Sequence, residues 1–312
     1  CEFTTPAIDV KVSNLSIDNV SSLSGNSVYC IGANDEISVV ASAAVNDNYN
    51  YEFIVDGVSV QSSSSNTMPI TFSTVGTTEV KVIVTDVDAK CVTDTIVTYE
   101  VKELPQAELL VNGTAVVDGD FVSECHGEIV DLSIEGTDFV VEIDGVEAFT
   151  VNYNDNPGVA TISPADVDLS TYFSNKADIV ISDATKLGLS LIGDYDDGDH
   201  VVRIKVTDPT TGCSQWSNAV TLHWKDEIML SVPSPHEINT TLQLCLGETT
   251  TITASSKDAT SFTFIPEGGT AIDGSSYSVV ASALGTYNLT IQADNGCERN
   301  VQIEVVETPN PQ

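Results

Sequence analysis

The fold class that the sequence predicts is all-β, a tandem row of small sandwiches of about seven strands each. Three observations predict it. The 312-residue chain repeats one order of cysteines, glycines and apolar runs three times, and self-similarity at a fixed order marks a repeat architecture. Its cleanest apolar runs alternate with period two and are rich in Val, Ile and Thr, as half-buried strands are. Helix-favouring Leu, Met, Lys, Arg and Gln are scarce, while 41% of the residues are hydrophobic, enough to fill several cores.

The elements of each repeat follow in order. A Cys-x-Gly triplet comes first: Cys30-Ile31-Gly32, Cys125-His126-Gly127 and Cys245-Leu246-Gly247. A short alternating run follows, starting at Ile37, Ile129 and Thr251. Next is a strand that ends in an acid and a glycine: Tyr51 to Gly57, Phe139 to Gly145 and Phe262 to Gly268. Gly76, Gly198 and Gly285 then open the most regular strand, which ends at Asp86, Asp208 or Asp294. A second cysteine (Cys91, Cys213 or Cys297) and a last strand close the unit. Seven short strands in roughly 100 residues is the pattern of an immunoglobulin-like sandwich.

This order predicts repeats at 13–104, 105–227 and 228–308, with Pro105 and Lys225-Asp226-Glu227 near the joints. Residues 1–12 match the second cysteine and last strand of a preceding repeat, so Cys1 is assigned to that unit and 309–312 to the next linker. The chain therefore reads as a stretch from inside a longer array.

The Cys-x-Gly triplets, the aromatic central strand and the run from Gly285 to Cys297, G-x-Y-x-L-x-I-x-A-D-N-G-C, resemble the Ig-like or PKD-like repeats of giant Bacteroidetes surface proteins. These include gliding-motility adhesins of the SprB type, exported by the type IX secretion system. The Trp-x-Phe-Gly-Asp-Gly core of true PKD domains is absent, since Tyr51 to Gly57 reads YEFIVDG. The resemblance implies an extracellular filament on a bacterial surface, carried by a gliding motor and gripping the substratum.

No cysteine lies in a C-x-x-C pair and no His stands at ligand spacing, so disulfides in an oxidising compartment are expected rather than zinc. Two schemes are open. One pairs within repeats: Cys30–Cys91, Cys125–Cys213 and Cys245–Cys297. The other is staggered, Cys30–Cys213 and Cys125–Cys297, and leaves Cys1, Cys91 and Cys245 for repeats outside the three. Parsimony favours the first. Geometry favours the second, because the two turns of one sandwich lie a strand length of about 17–20 Å apart, whereas a cystine needs Cα atoms within about 7 Å. Staggered bonds would stiffen each joint.

Charge and motifs narrow the function. With 11 Lys and Arg against 46 Asp and Glu, the net charge is −35, and such a field repels nucleic acid and anionic lipid. No run approaches 18 apolar residues, the length a membrane span needs. No nucleophile motif, zinc helix or phosphate loop occurs, and His126, His200, His223 and His236 are scattered, so no enzyme is expected. The cysteines of the second repeat are 88 positions apart, against 61 and 52 in the others. The excess is placed at about 150–197, and an insertion on a scaffold is where binding sites arise; the alternative function is accordingly a glycan-binding module that reads surface polysaccharide there. Asp194, Asp196, Asp197 and Asp199 form the densest acidic loop, the candidate for calcium, which takes several hard oxygens; a solvated turn around Gly198 is the competing reading. Asp86, Asp88, Asp208 and Asp294 are expected to cap turns. Trp216 and Trp224 are expected to pack near the last strand of the second repeat.

Overall fold

The structure is a computed structural model, and the residues it describes are 14–43, 48–152, 161–163, 169–170, 172–173, 175–183, 186–193 and 198–308. Cys1, residues 2–12, Asp194, Asp196, Asp197 and 309–312 lie outside them. Every strand among the described residues belongs to one of three sandwiches, each made of two sheets. The chain is all-β, in tandem immunoglobulin-like sandwiches.

The first comprises β1 (Ser16–Ser22), β2 (Val28–Cys30), β3 (Asn34–Ser42), β4 (Tyr49–Val55), β5 (Val58–Ser63), β6 (Thr67–Thr71), β7 (Gly76–Asp86) and β8 (Val92–Lys102). Its sheets run β1-β3-β6 and β2-β8-β7-β4-β5. The first strand is divided in two, β1 and β2. It leaves one sheet after Ser22, turns at Gly25 with φ +76°, and joins the other as β2, which runs parallel to β8. Positive φ is a conformation glycine takes without a Cβ clash. Ile37, Val39, Phe53, Val80, Val82 and Val84 are fully buried between the sheets, and Tyr29 stacks on Phe72 at 4.0 Å between centroids.

The second sandwich comprises β9 (Leu110–Val111), β10 (Thr114–Ala115), β11 (Asp120–Cys125), β12 (Ile129–Glu135), β13 (Asp138–Ile143), β14 (Val146–Asn152), β15 (Thr161–Ser163), β16 (Asn175–Asp183), β17 (Lys186–Ile192), β18 (His200–Thr207), β19 (Ser214–Trp216) and β20 (Val220–Lys225). Its sheets run β10-β9-β12-β17-β16 and β11-β20-β18-β13-β14-β15, with β19 also on β18. Here the expected insertion at 150–197 needs correction. β17 pairs with β12 as β6 pairs with β3, so Lys186–Ile192 is an ordinary strand of the sandwich. Its run KLGLSLI carries Leu and Gly where the other strands carry β-branched residues, which hid it. Within 150–197 the added strands, among the described residues, are the edge strands β15 and β16; β10 and β19 are added outside it.

The third comprises β21 (Met229–Ser231), β22 (Thr241–Cys245), β23 (Thr249–Ser255), β24 (Phe262–Pro266), β25 (Ile272–Asp273), β26 (Ser276–Val280), β27 (Gly285–Ala293) and β28 (Glu298–Val306). Its sheets, β21-β23-β26 and β22-β28-β27-β24-β25, repeat the plan of the first. By compactness the chain forms two units: Cys1–Gln106 with Thr207–Gln215, and Ala107–Val206 with Trp216–Gln312. The second unit therefore holds most of the second sandwich and all of the third.

Trp224, on the inner face of β20, is the largest fully buried side chain. Its indole Nε1 donates to Glu128 O at 3.0 Å, which satisfies the polar end that burial would otherwise strand. The ring lies flat against Gly193, where an added Cβ would sit 2.2 Å from Trp224 Cε3. We predict that Gly193→Ala costs about 1–3 kcal/mol through overpacking. Both tryptophans belong to the second sandwich, so fluorescence during urea unfolding reads that sandwich selectively; an unchanged midpoint would contradict the packing.

Candidate functional site

Two kinds of turn carry the cysteines. In the first kind, the Cys-x-Gly triplet ends the parallel strand of each sandwich. Cys30 stands opposite Lys102, Cys125 opposite Lys225 and Cys245 opposite Val306. The glycine two residues on has φ of +85°, +77° and +90° in turn, which explains the triplet. The turn closes by donation from the amides of Ala33, Glu128 and Glu248 back to the cysteine carbonyls, each at 3.0 Å. In the second and third sandwiches the carboxylates of Glu128 and Glu248 also accept from the amides of Cys125 and Cys245.

The second kind follows the regular strand β7, β18 or β27 and leads into β8, β19 or β28. The amides of Asp86 and Asp208 donate to the carbonyls of Cys91 and Cys213, both at 2.9 Å, and those of Lys90 and Gly212 donate back to Asp86 and Asp208. The carboxylate of Asp86 caps the amides of Asp88 and Ala89, and that of Asp208 caps Thr210 and accepts from the Thr211 hydroxyl. The third turn is one residue shorter, with Ala293 donating to Cys297 O. There Asn295 caps Cys297, while Asp294 reaches Thr260 on another loop.

The disulfides link turns of different sandwiches: Cys30 with Cys213 and Cys125 with Cys297, each with Cα atoms 5.6 Å apart. The alternative pairs Cys30–Cys91, Cys125–Cys213 and Cys245–Cys297 do not form, and Cys91 and Cys245 are free and half-buried. Register gives the reason. Cys30 faces Lys102 at the end of β8, whereas Cys91 precedes Val92 at its start. Eleven residues of strand put those ends roughly 33 Å apart at about 3.3 Å per residue, far beyond a cystine's reach.

In the second unit, polar contacts brace the same joint. Lys225 Nζ donates to Asn295 O at 2.8 Å. Arg299 Nη1 donates to Glu227 and to Ile228 O, both at 2.6 Å, and Nη2 to Asn239 O. The amide of Asp226 donates to the Asp258 carboxylate, and that of Lys257 to the Asp226 carboxylate. Sequence reasoning placed Lys225, Asp226 and Glu227 near a joint without assigning them contacts, and missed Asn295, Arg299 and Asp258. The available signal was scarcity, since two of only 11 Lys and Arg residues are placed on one joint.

The remaining expected site residues that are described have other partners. Of the calcium candidates only Asp199 is described; it meets His223 Nδ1 at 2.7 Å. His200 pairs with Asp144 at 2.7 Å and packs edge-on to Phe173. Phe173, in the expected insertion, is buried and packs edge-on to Trp224. Trp216 lies beneath the Arg203 guanidinium, 4.2 Å from its ring centre. Among the described residues no group of three His, Cys, Asp or Glu could hold a metal ion, and no helix is long and apolar enough to cross a membrane.

No protein-family model matches the chain, and no curated protein does. Solved structures similar to it include the fibronectin(III)-like modules of Clostridium thermocellum CbhA, at 12% identity over 68% of this chain and 94% of that one, TM-score 0.28. The N-terminal eight Ig domains of Down Syndrome Cell Adhesion Molecule match at 11% over 94% and 35%, TM-score 0.32. Sidekick-1 immunoglobulin domains 1–4 match at 10% over 96% and 77%, TM-score 0.25. The chain thus spans about a third of the length of the second of these.

Two predictions follow from the turns. Native alkylation should label Cys91 and Cys245, and non-reducing peptide mapping should recover Cys30–Cys213 and Cys125–Cys297; a Cys30–Cys91 peptide would overturn the pairing. The second concerns acid. The Thr210 amide and Thr211 hydroxyl, against some desolvation, hold the Asp208 carboxyl below its ordinary value. A carboxyl depressed on folding stabilises fully above its unfolded value near 3.9 and loses that contribution as pH falls through the folded value. Asp208→Asn should therefore flatten the fall in unfolding midpoint between about pH 5 and pH 2, measured by urea titration.

Proposed function

We propose that this chain is a non-enzymatic, tension-carrying segment of a long extracellular filament or adhesin on a bacterial surface. The observation that supports it most is the overlap of the two disulfides. Cys30–Cys213 and Cys125–Cys297 interleave along the chain, so the two cystines are nodes joined by three covalent strands. These run from Cys30 to Cys125, from Cys125 to Cys213 and from Cys213 to Cys297. Tension reaching one node has three parallel routes to the other. A backbone break in any one strand leaves the molecule joined.

Such redundancy serves a chain exposed to pulling and to proteases in an oxidising space, where disulfides persist. The sandwiches suit the same task, because their long-range strand pairing resists unzipping; β7 and β8 alone pair over ten positions. A charge of −35 keeps neighbouring filaments apart. The resemblance to gliding-motility adhesins supports the finer reading that the tension arises as the filament is carried along the cell and grips the substratum or its polysaccharide.

Single-molecule pulling from the two ends tests this. The oxidised chain should extend between the nodes by no more than its shortest strand, Cys213 to Cys297, roughly 85 residues or ~300 Å. Cys30→Ser or Cys125→Ser alone should leave that limit nearly unchanged, because the remaining cystine still short-circuits the chain. The double variant should release the whole span from Cys30 to Cys297, roughly 270 residues or ~900 Å. Full extension of the oxidised wild type would sink the proposal. Retention on polysaccharide-coated and bare surfaces, compared with a variant whose residues 153–185 are replaced by a short turn, separates a gripping segment from a spacer.

A further inference from the structure

One space between the sheets is filled differently in the three sandwiches. Phe72, Gly193 and Ala281 hold one position, each just after the residue paired with the first residue of β3, β12 or β23. In the first sandwich the Phe72 ring fills the space, stacked on Tyr29 at 4.0 Å and tilted against Tyr99 at 5.6 Å. In the second, Trp224 fills it over Gly193, and Phe173 packs edge-on to both Trp224 and His200. In the third, Ala281, Leu244 and Ile303 stand in place of Phe72, Tyr29 and Tyr99. Val305 there replaces Trp224, and Tyr287 replaces His200. What remains is a half-open cavity of about 150 Å³ lined by Tyr277, Val279, Tyr287, Ile303 and Val305, with Glu267 its one charged lining residue. A void left where large side chains become small can take a benzene-sized ring.

The sheet edge beside this space differs in the same order. Among the described residues β6 ends its sheet, and Pro69 removes an amide from that edge, which blunts it. On the equivalent strand β17, the chain adds β16 antiparallel, with Asn175 opposite Ile192 and two residues after Phe173. On β26, again the last strand of its sheet among the described residues, Ser278 stands in place of Pro69. The Ala281 amide donates to Glu248 O, so antiparallel alternation turns the amides of Ser278 and Val280 to the uncovered side. The first sandwich is thus closed at both places, the second is filled by its own chain, and the third is open at both.

We propose that the third sandwich binds from another protein what the second supplies for itself: an aromatic residue leading into a strand. The strand adds to the edge of β26 and the ring enters the cavity, so that main-chain bonds give affinity and the ring fixes register. Charge selects the kind of segment. With Glu267 at the cavity and −35 on the chain, a basic segment is drawn in and an acidic one repelled. This inference concerns a partner-binding site and does not rest on the tension-carrying role.

The test uses the oxidised full chain and a fluorescent peptide with the sequence of residues 169–183, LSTYFSNKADIVISD, made basic by Asp178→Lys and Asp183→Lys. Fluorescence anisotropy should show saturable binding, about tenfold weaker for the peptide with Phe173→Ala, because the buried ring is the anchor. In the protein, Ala281→Phe fills the cavity and Ser278→Pro blunts the edge, each copying the first sandwich. Each should weaken binding about tenfold or more, while Ala281→Phe holds or raises the urea midpoint as a filled cavity does. Hydrogen exchange at Ser278 and Val280 of the wild type should slow when the basic peptide binds. The unaltered acidic peptide should bind more weakly, with the difference shrinking as salt is raised. Absence of saturable binding, or binding indifferent to Phe173→Ala with exchange at Ser278 and Val280 unchanged, would overturn the proposal. So would equal binding of the acidic peptide with concentration-dependent dimers of the chain, which would give the cavity to residues 169–183 of a second copy.

Discussion

The short reach of a cystine governs this molecule. A disulfide spans a few ångströms between Cα atoms, whereas the two cysteine turns of one sandwich are held at opposite ends of strands such as β7 and β8. Each sandwich therefore cannot satisfy itself. Its cysteines are directed outward along the chain, and pairing becomes a property of neighbours. From that single constraint come the interleaved bonds, the three-strand covalent connection and, among the described residues, the free thiols of Cys91 and Cys245.

The parallel strands β2, β11 and β22 make the constraint effective. Each is the second half of a divided first strand, and each runs beside the last strand of its sandwich for three to six residues. This parallel pairing carries the Cys-x-Gly turn to the end where the last strand leaves toward the following sandwich. A first strand confined to the opposite sheet would leave the cysteine without that placement. The turn glycines and the capping carboxylates of Glu128 and Glu248 then hold the sulfur-bearing residue in one conformation, so less freedom is lost when the bond closes.

Much of this was legible in the sequence because it rests on short-range rules. Period-two alternation marked the strands, and β-branched residues separated them from helices. The spacing of cysteines against strand length made the staggered pairing the geometrically favoured scheme. What escaped detection depends on longer range or on irregular chemistry. The division of the first strand turns on Gly25 and a parallel partner some 70 residues away, which no local pattern encodes. β17 was hidden because its alternation uses Leu and a glycine. The joint contacts of Lys225, Asp226 and Arg299 involve residues that look like ordinary surface charge until the fold brings 225 beside 295 and 299 beside 227.

The second sandwich shows why two bonds meet there. It alone contributes a cysteine to each cystine, Cys125 to one and Cys213 to the other. It also carries the added edge strands β15 and β16 and the longest span between its cysteines. Extra chain raises the conformational entropy gained on unfolding, and this sandwich would be the weak member of a row under tension. Pinning it at two internal points divides its unfolded chain into shorter loops, each with fewer conformations to gain. The same bonds that carry tension past the second sandwich thus also oppose its unfolding. Placing both on the longest repeat sets the strongest restraint on the segment with most to gain from coming apart.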